Sequence, residues 1–386
     1  MNMRSNKPVI AHYNSEFGQK SQTFIYQYLS NLKNFRLIFF AEEFKNLDLF
    51  PLEKNDLYLV PAQRPQKYTK QWLYYEVLCK CFGMNMEPEE MILRNRKVRL
   101  IHAHFGPQGF SALKMRGNLK VPIITNFYGY DVSRLVQHQE WRDRYSILFQ
   151  EGDLFLVEGE FMKSRVMELG CPKNKIKIQR IAIPVDKIPF CSRLPKKNNE
   201  KAIFVFCGRF VEKKGLIYAL QALREVRNRR KDFEFWIIGD GPLRPLVESF
   251  IQESQMSPYV KLWGFLNYKD YLNEMQKADI FVHPSVTAAD GNSEGGAPTT
   301  ILEAQAMGLP VVATFHADIP NVVVPNESAL LSQERDVPGL ASNIEYLLDN
   351  QDRWGAMGRK GRDFVEQNHD FKNGLVALEE RYRSLI

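Results

Sequence analysis

The feature that most constrains this chain is a recurrence of short apolar runs, each too brief for a buried helix and separated from the next by a stretch of helical character. In the first half, strands are expected near Pro8–His12, Arg36–Ala41, Leu57–Val60, Leu100–His104, Val121–Asn126 and Leu154–Val157. In the second half they are expected near Ile203–Cys207, Glu234–Ile238, Val260–Trp263, Ile280–His283 and Pro310–Ala313. Strands alternating with helices imply parallel βαβ units, because parallel neighbours need a crossover that only a helix-length connection supplies. The fold class is therefore α/β, with parallel sheets carrying helices on both faces.

At 386 residues the chain exceeds the usual single domain, so two domains are expected. Pro184–Glu200 includes SRLPKKNNE, rich in Pro, Lys and Asn without apolar periodicity, and reads as the linker. The first domain is placed at residues 1–190 and the second at 191–371. A last helix over Lys372–Ile386 carries an apolar stripe of Leu375, Leu378, Tyr382 and Leu385. Ligands of such sheets sit at the carboxyl ends of the strands.

Apolar residues make up 44% and charged residues 25%, which suits buried cores and excludes a disordered chain. The net charge of +7 favours an anionic partner: a nucleotide, a nucleic acid or an acidic lipid. No zinc-finger, helix-turn-helix or RNP-type pattern accompanies that charge, so no nucleic-acid partner is expected. The five cysteines show no CxxC pair, no cluster has metal spacing, and neither a metal nor a cofactor is expected. The amino terminus lacks a secretory core and no window holds enough apolar residues to span a bilayer, so a cytoplasmic location is expected.

The densest chemical signal is Asp290–Val312, DGNSEGGAPTTILEAQAMGLPVV, a glycine-rich loop running into a helix and then a buried strand. Thr300 and Glu303 have capping-box spacing, which predicts a helix from about Thr300 to Gly308. Accessible backbone N–H groups at Gly295, Gly296 and Ala297, with the helix dipole behind them, would seat a diphosphate. By spacing alone, Glu303 is equally well a cap and Glu294 a solvated carboxylate.

A second constellation, VFCGRFVEKKG at Val205–Gly215, places Arg209 and Lys214 just beyond a strand. Arg would supply forked hydrogen bonds and Lys a point charge to a departing diphosphate, while by spacing alone the pair equally fits a solvated surface cluster with Lys213 and Glu212. A third, IIGDGP at Ile237–Pro242, lacks the last glycine of a dinucleotide fingerprint, and no P-loop occurs. In the first half, polar strand ends lie at His12–Phe24, Ile101–Gly109 and Asn126–Ser133. Gly18 would let a ligand approach the backbone, with Ser21 and Thr23 near the next helix start. His102 and His104 are read as facing opposite sides of their strand, which leaves a core histidine for one of them.

In order, CGRFVEKKG, IIGDGPL, VKLWGFL, ADIFVHPS and SEGGAPTTILEAQAMGLPVVAT make the chain resemble the retaining glycosyltransferases of family 4, which have the GT-B fold. That resemblance implies two Rossmann-like domains facing across a cleft, the first for the acceptor and the second for a UDP- or GDP-sugar, with the terminal helix crossing back onto the first. Arg209 and Lys214 would hold the diphosphate, Glu303 the ribose, and backbone near Phe265–Leu266 the base. Glu294 with Gly296, Ala297, Pro298, Thr299 and Thr300 would hold the sugar and phosphates, and Gly18 also falls on the donor side. Glu294, Tyr128 and Asp131 are the catalytic candidates, and Ser21, Thr23 and His104 the acceptor-side ones.

The resemblance further implies no metal, since the cations neutralise the diphosphate, and retention without a protein nucleophile. Two positions depart from the family pattern. Eight residues separate Glu294 from Glu303, one more than usual, and Tyr128 stands where a histidine is usual. The branch most similar builds cell-surface polysaccharides, which implies a saccharide or lipid-linked saccharide acceptor. Lys67, Tyr68, Lys70, Trp72, Tyr74 and Tyr75, with Arg94, Arg96, Lys97 and Arg99, could then dock on an anionic membrane face or form a solvated surface. The competing readings are an epimerase or hydrolase of the same architecture and a non-catalytic nucleotide-sugar-binding protein.

Overall fold

The computed structural model describes residues 7–19, 22–60, 87–197, 200–296 and 298–386. Ser21, Ala297 and the basic aromatic positions from Lys67 to Tyr75 lie outside the described residues. The chain divides into two units, Met1–Val157 with Lys163–Gln179 and Leu375–Ile386, and Glu158–Met162 with Arg180–Gly374.

The first unit contains β1 (Val9–Tyr13), β2 (Glu16–Phe17), β3 (Arg36–Ala41), β4 (Glu43–Phe44), β5 (Leu57–Leu59), β6 (Val98–His104), β7 (Ile123–Asn126), β8 (Leu154–Val157) and β9 (Ile176–Ile178). Its helices are α1 (Thr23–Leu29), α2 (Pro88–Asn95), α3 (Gly106–Arg116), α4 (Gln139–Glu151) and most of α5 (Glu160–Glu168). Seven strands form one parallel sheet in the order β5-β3-β1-β6-β7-β8-β9, while β2 and β4 pair separately. Side chains alternate across it: Ala11, Ile101 and Ala103 enter one core, Ile10 and Leu100 the other.

The second unit contains β10 (Ala202–Cys207), β11 (Phe233–Ile238), β12 (Val260–Gly264), β13 (Ile280–His283), β14 (Val311–Thr314) and β15 (Ala329–Ser332). Helices α6 (Leu216–Arg227), α7 (Arg244–Glu253), α8 (Tyr268–Lys277), α9 (Thr299–Ala306), α10 (Val337–Asp349) and α11 (Trp354–Asn368) belong to it. The parallel sheet runs β12-β11-β10-β13-β14-β15, so its order reverses between β10 and β13. Phe204 and Phe206 point into one core and Val205 into the other, which explains the unbroken apolar runs: both faces are covered.

The terminal helix α12 (Phe371–Arg383) sends Leu378 and Tyr382 into the first unit's core, with Leu375 and Leu385 beside them. Its stripe is thus a packing face.

Three local expectations are corrected. Pro184–Glu200 is part of the second unit: Val185 and Ile188 are buried, and Arg193 donates to the carbonyls of Gln276 (2.7 Å) and Met307 (3.3 Å). His102 and His104 share a face, as residues two apart on a strand must, and their rings stack 4.6 Å apart. Helix α9 starts at Thr299 behind Pro298 with no side-chain cap, so the Thr300–Glu303 spacing is not a capping box.

Candidate functional site

The reversal of strand order in the second unit leaves a crevice beyond the carboxyl ends of β10 and β13. The residues after these two strands are VFCGRFVEKKG and the loop leading to α9, so topology gathers the two richest motifs at one place.

Glycine makes their approach possible. Gly215 has φ +69°, and a Cβ there would lie 1.8 Å from the carbonyl oxygen of Pro284. Only glycine lets the Glu212–Lys214 turn rest on the chain leaving β13, where Val286 N–H donates to the Lys213 carbonyl at 2.9 Å. Lys214 Nζ then reaches Glu294 Oε1 at 2.8 Å and Lys213 Nζ lies 3.8 Å from Oε2. Lys213 also donates to Ser293 O (2.9 Å) and Asn292 Oδ1 (3.3 Å), and Ser285 Oγ donates to Glu294 Oε1 (3.2 Å).

Burial opposes ionisation of Glu294, but Lys214 and then Lys213 outweigh it and hold its carboxyl well below the usual range. Burial pulls Lys213 down from its ordinary value, partly offset by Glu294. Arg209 is exposed at the mouth of the same turn and makes no ion pair among the described residues. The cluster is an ionised carboxylate between two lysines, with an arginine beside them.

Glu303 points elsewhere. Tyr271 donates to its Oε2 at 2.8 Å, and burial pushes its carboxyl up to about 7 despite that bond and one from Tyr268. Leu266 packs against the core below, next to exposed Phe265. Gly296 and Pro298 are buried, Thr299 and Thr300 half-buried at the helix start, and Thr300 Oγ1 has no hydrogen-bond partner among the described residues. Gly239 and Gly241 of the third motif pack on Gly208 and Phe210, so IIGDGP shapes the Arg209 turn from behind.

Sequence reasoning missed several residues here. Glu158 lies where a Cβ on Gly296 would meet its carboxylate at 2.2 Å. His316, after β14, accepts the Glu294 N–H on Nε2 at 3.1 Å and bonds Glu334 through Nδ1 at 2.6 Å. All three are distant from Glu294 along the chain, and no local spacing announces them.

The first unit has its own strand-end cluster. His12 and His104 meet at 3.2 Å, and His104 Nδ1 lies 2.9 Å from the Tyr128 hydroxyl. His102 bridges Tyr382 (2.5 Å) and Asn126 (2.6 Å). Burial holds all three imidazoles below their ordinary pKa, so they are neutral at pH 7. Their nitrogens lie within 4.8 Å of one another, a cluster that strand spacing had not suggested.

Asp131 is fully buried and accepts the backbone N–H groups of Gly106, Tyr128 and Gly129, each at 3.0 Å. Both oxygens accept from the protein's own turn, so the carboxylate holds the backbone that carries Tyr128. Gly18 has φ +86° and a Cβ there would lie 1.8 Å from Lys45 O; the glycine is required by that packing. Thr23 is exposed at the start of α1. Arg94 is paired with Glu90 (2.7 Å), and Arg96 bonds the Tyr58 hydroxyl (2.5 Å), so these two are internal braces as well as surface charges.

Two doubly wound parallel units, the second with a cation-rich switch point, place the chain in the α/β class that binds phosphorylated ligands at strand ends. Anabaena HepE in complex with UDP superposes with a TM-score of 0.78 at 14% identity, covering 98% of this chain and 100% of that one. A sucrose-phosphate synthase from Thermosynechococcus elongatus gives 0.75 at 16%, covering 98% and 99%. Residues 201–350 match the family described as glycosyl transferases group 1. The chain is 33% identical over 280 residues to the colanic acid biosynthesis glycosyltransferase WcaL of Escherichia coli (strain K12), covering 72% of this chain and 68% of that one. The amylovoran biosynthesis glycosyltransferase AmsK of Erwinia amylovora is 36% identical over 251 residues, 64% and 61% of the two chains. This chain belongs to the group 1 glycosyltransferases.

Proposed function

We propose that the protein transfers a sugar, with retention, from a UDP- or GDP-sugar held by the second unit to a saccharide or lipid-linked saccharide during surface polysaccharide assembly. The observation that carries this is the Lys213–Lys214–Glu294 cluster with Arg209 at the switch point: cations where a nucleoside diphosphate would depart, beside a carboxylate held ionised. The names of its relatives, colanic acid and amylovoran glycosyltransferases, support the polymer class. UDP and UDP-glucose in HepE crystals support the donor class.

In this reading Lys214 and Arg209 stabilise the departing diphosphate without a metal ion, and Glu303 receives ribose hydroxyls. The acceptor's proton passes to a donor phosphate oxygen on the same face, and Glu294 orients the sugar. A lipid-linked acceptor would bring the protein to the cytoplasmic membrane face, where a net charge of +7 suits anionic headgroups. Among the described residues, no helix is long and apolar enough to cross a membrane.

The experiment is a calorimetric and thermal-shift panel of UDP, GDP and ADP with their sugars, against wild type and Arg209→Ala. Saturation at about 100 times the dissociation constant adds about 2.7 kcal/mol of stability, so a true donor is visible. One nucleotide should stabilise selectively and lose that effect in the variant; no binding by any nucleotide would refute the donor site. Product NMR then reads the anomeric outcome, and inversion would refute retention.

A further inference from the structure

We infer that His316, held by Glu334, is a positioning residue that aims Glu294 and the loop between β13 and α9. The assignment rests on the proposed donor site, and it adds a device that no local motif contains.

Hydrogen-bond direction fixes the state of the ring. The Glu294 backbone N–H only donates, so His316 Nε2 must be a bare acceptor at 3.1 Å. A neutral imidazole carries one proton, so Nδ1–H donates to Glu334 Oε1 at 2.6 Å. The carboxylate thus selects the tautomer that can receive the loop, the same logic by which an outer partner orients a histidine that ligates a metal. His316 is 2% exposed, so the bond is protected from competing water.

Glu334 also accepts from Thr287 at both its N–H (2.8 Å) and hydroxyl (3.3 Å). Thr287 and Glu294 bound one segment of that loop. One carboxylate after β15 and one imidazole after β14 therefore grip both ends of the same segment. Thr314, at the end of β14, adds a third tie by donating to the Ser285 carbonyl at 2.5 Å. The chain between β13 and α9 carries Gly291, Gly295 and Gly296, whose backbones have wide conformational freedom of their own. Held at its backbone, Glu294 keeps its carboxylate between Lys214 and Ser285.

The test is a double-mutant cycle on donor-dependent transfer, with folding followed by thermal unfolding. His316→Phe removes the acceptor and should lower kcat/KM by about 10²-fold, the cost of a displacement near 1 Å at a reacting group. His316→Gln restores an acceptor and should recover most of that loss. Combined with Glu294→Gln, His316→Phe should cost little more, because its effect passes through the carboxylate already removed. If His316→Phe does not fold, Glu334→Leu replaces it in the cycle, since it removes the tautomer-selecting partner from a half-exposed position. Additive losses, or a folded variant with wild-type transfer, would overturn the assignment. Wild type that binds no nucleotide in the same assay would instead overturn the donor site itself.

Discussion

At the scale of single residues, the chemistry is set by which charges share a partner. Lys214 and Lys213 are paired with Glu294, so an incoming diphosphate competes with a carboxylate for them. Glu294→Gln should therefore tighten nucleoside diphosphate binding by up to about tenfold, ~1.4 kcal/mol, while transfer from the sugar donor falls by about 10²-fold or more. Calorimetry with the diphosphate alone checks the first half, and unchanged affinity would sink the competition argument. Glu303 gives a pH prediction. Its carboxyl is raised from 4.5 to about 7, so the fold prefers it protonated: that stability is complete below about 4.5 and is lost as pH rises through about 7. Ribose hydroxyls need an ionised acceptor, so nucleotide binding should strengthen across pH 6 to 8 and release a proton. Calorimetry in two buffers of different ionisation enthalpy reads that proton, and Glu303→Gln should abolish it. Arg209, Lys214 and Glu294 stood out in the sequence because each lies in a local motif with glycines close by, and Glu303 because it follows that glycine-rich loop on the next helix. His316, Glu334 and Tyr271 did not, because each bonds its partner from another strand end or helix and no spacing along the chain encodes such a meeting.

At the scale of elements, the parallel sheets could be read because both their faces are buried, which turns strands into apolar runs. The strands that escaped are those without such a run: β9, three residues with a lysine at its centre, and β2 and β4, two residues each. β15 was overlooked although its residues ALLS are largely buried; four residues between turns leave too little pattern. Elements also position the chemistry, and Gly215 tests this. Gly215→Ala meets a positive φ and the Pro284 carbonyl together, a backbone clash that only movement of the Lys213–Lys214 turn relieves. The strain term alone is about 1–3 kcal/mol. Nucleotide affinity should fall by more than tenfold while circular dichroism stays native; binding equal to wild type would show that the turn does not place the lysines.

At the scale of the molecule, the last helix decides what the first unit needs in order to fold. The chain leaves that unit at Gln179, builds the second, and returns at Leu375. Leu378 and Tyr382 are buried in the first unit's core beside Ile10, Leu100 and Leu156, and the Tyr382 hydroxyl is a partner of buried His102. Burying each such side chain contributes about 1.5–3 kcal/mol, and a buried nitrogen left without its partner costs about 1–3 more. Against a total of about 5–15 kcal/mol for a domain, a chain ending at Gly374 should lose most of the first unit's stability. The second unit keeps its sheet, both its cores and every residue of the Lys214–Glu294 cluster. Thermal unfolding of the truncated chain should therefore show an early transition insensitive to nucleotide and a later one that nucleotide still raises. Tyr382→Phe should shift only the early transition, and by a few degrees. A single transition lost as a whole on truncation would mean that the two units do not fold independently, and that the donor site requires the complete chain.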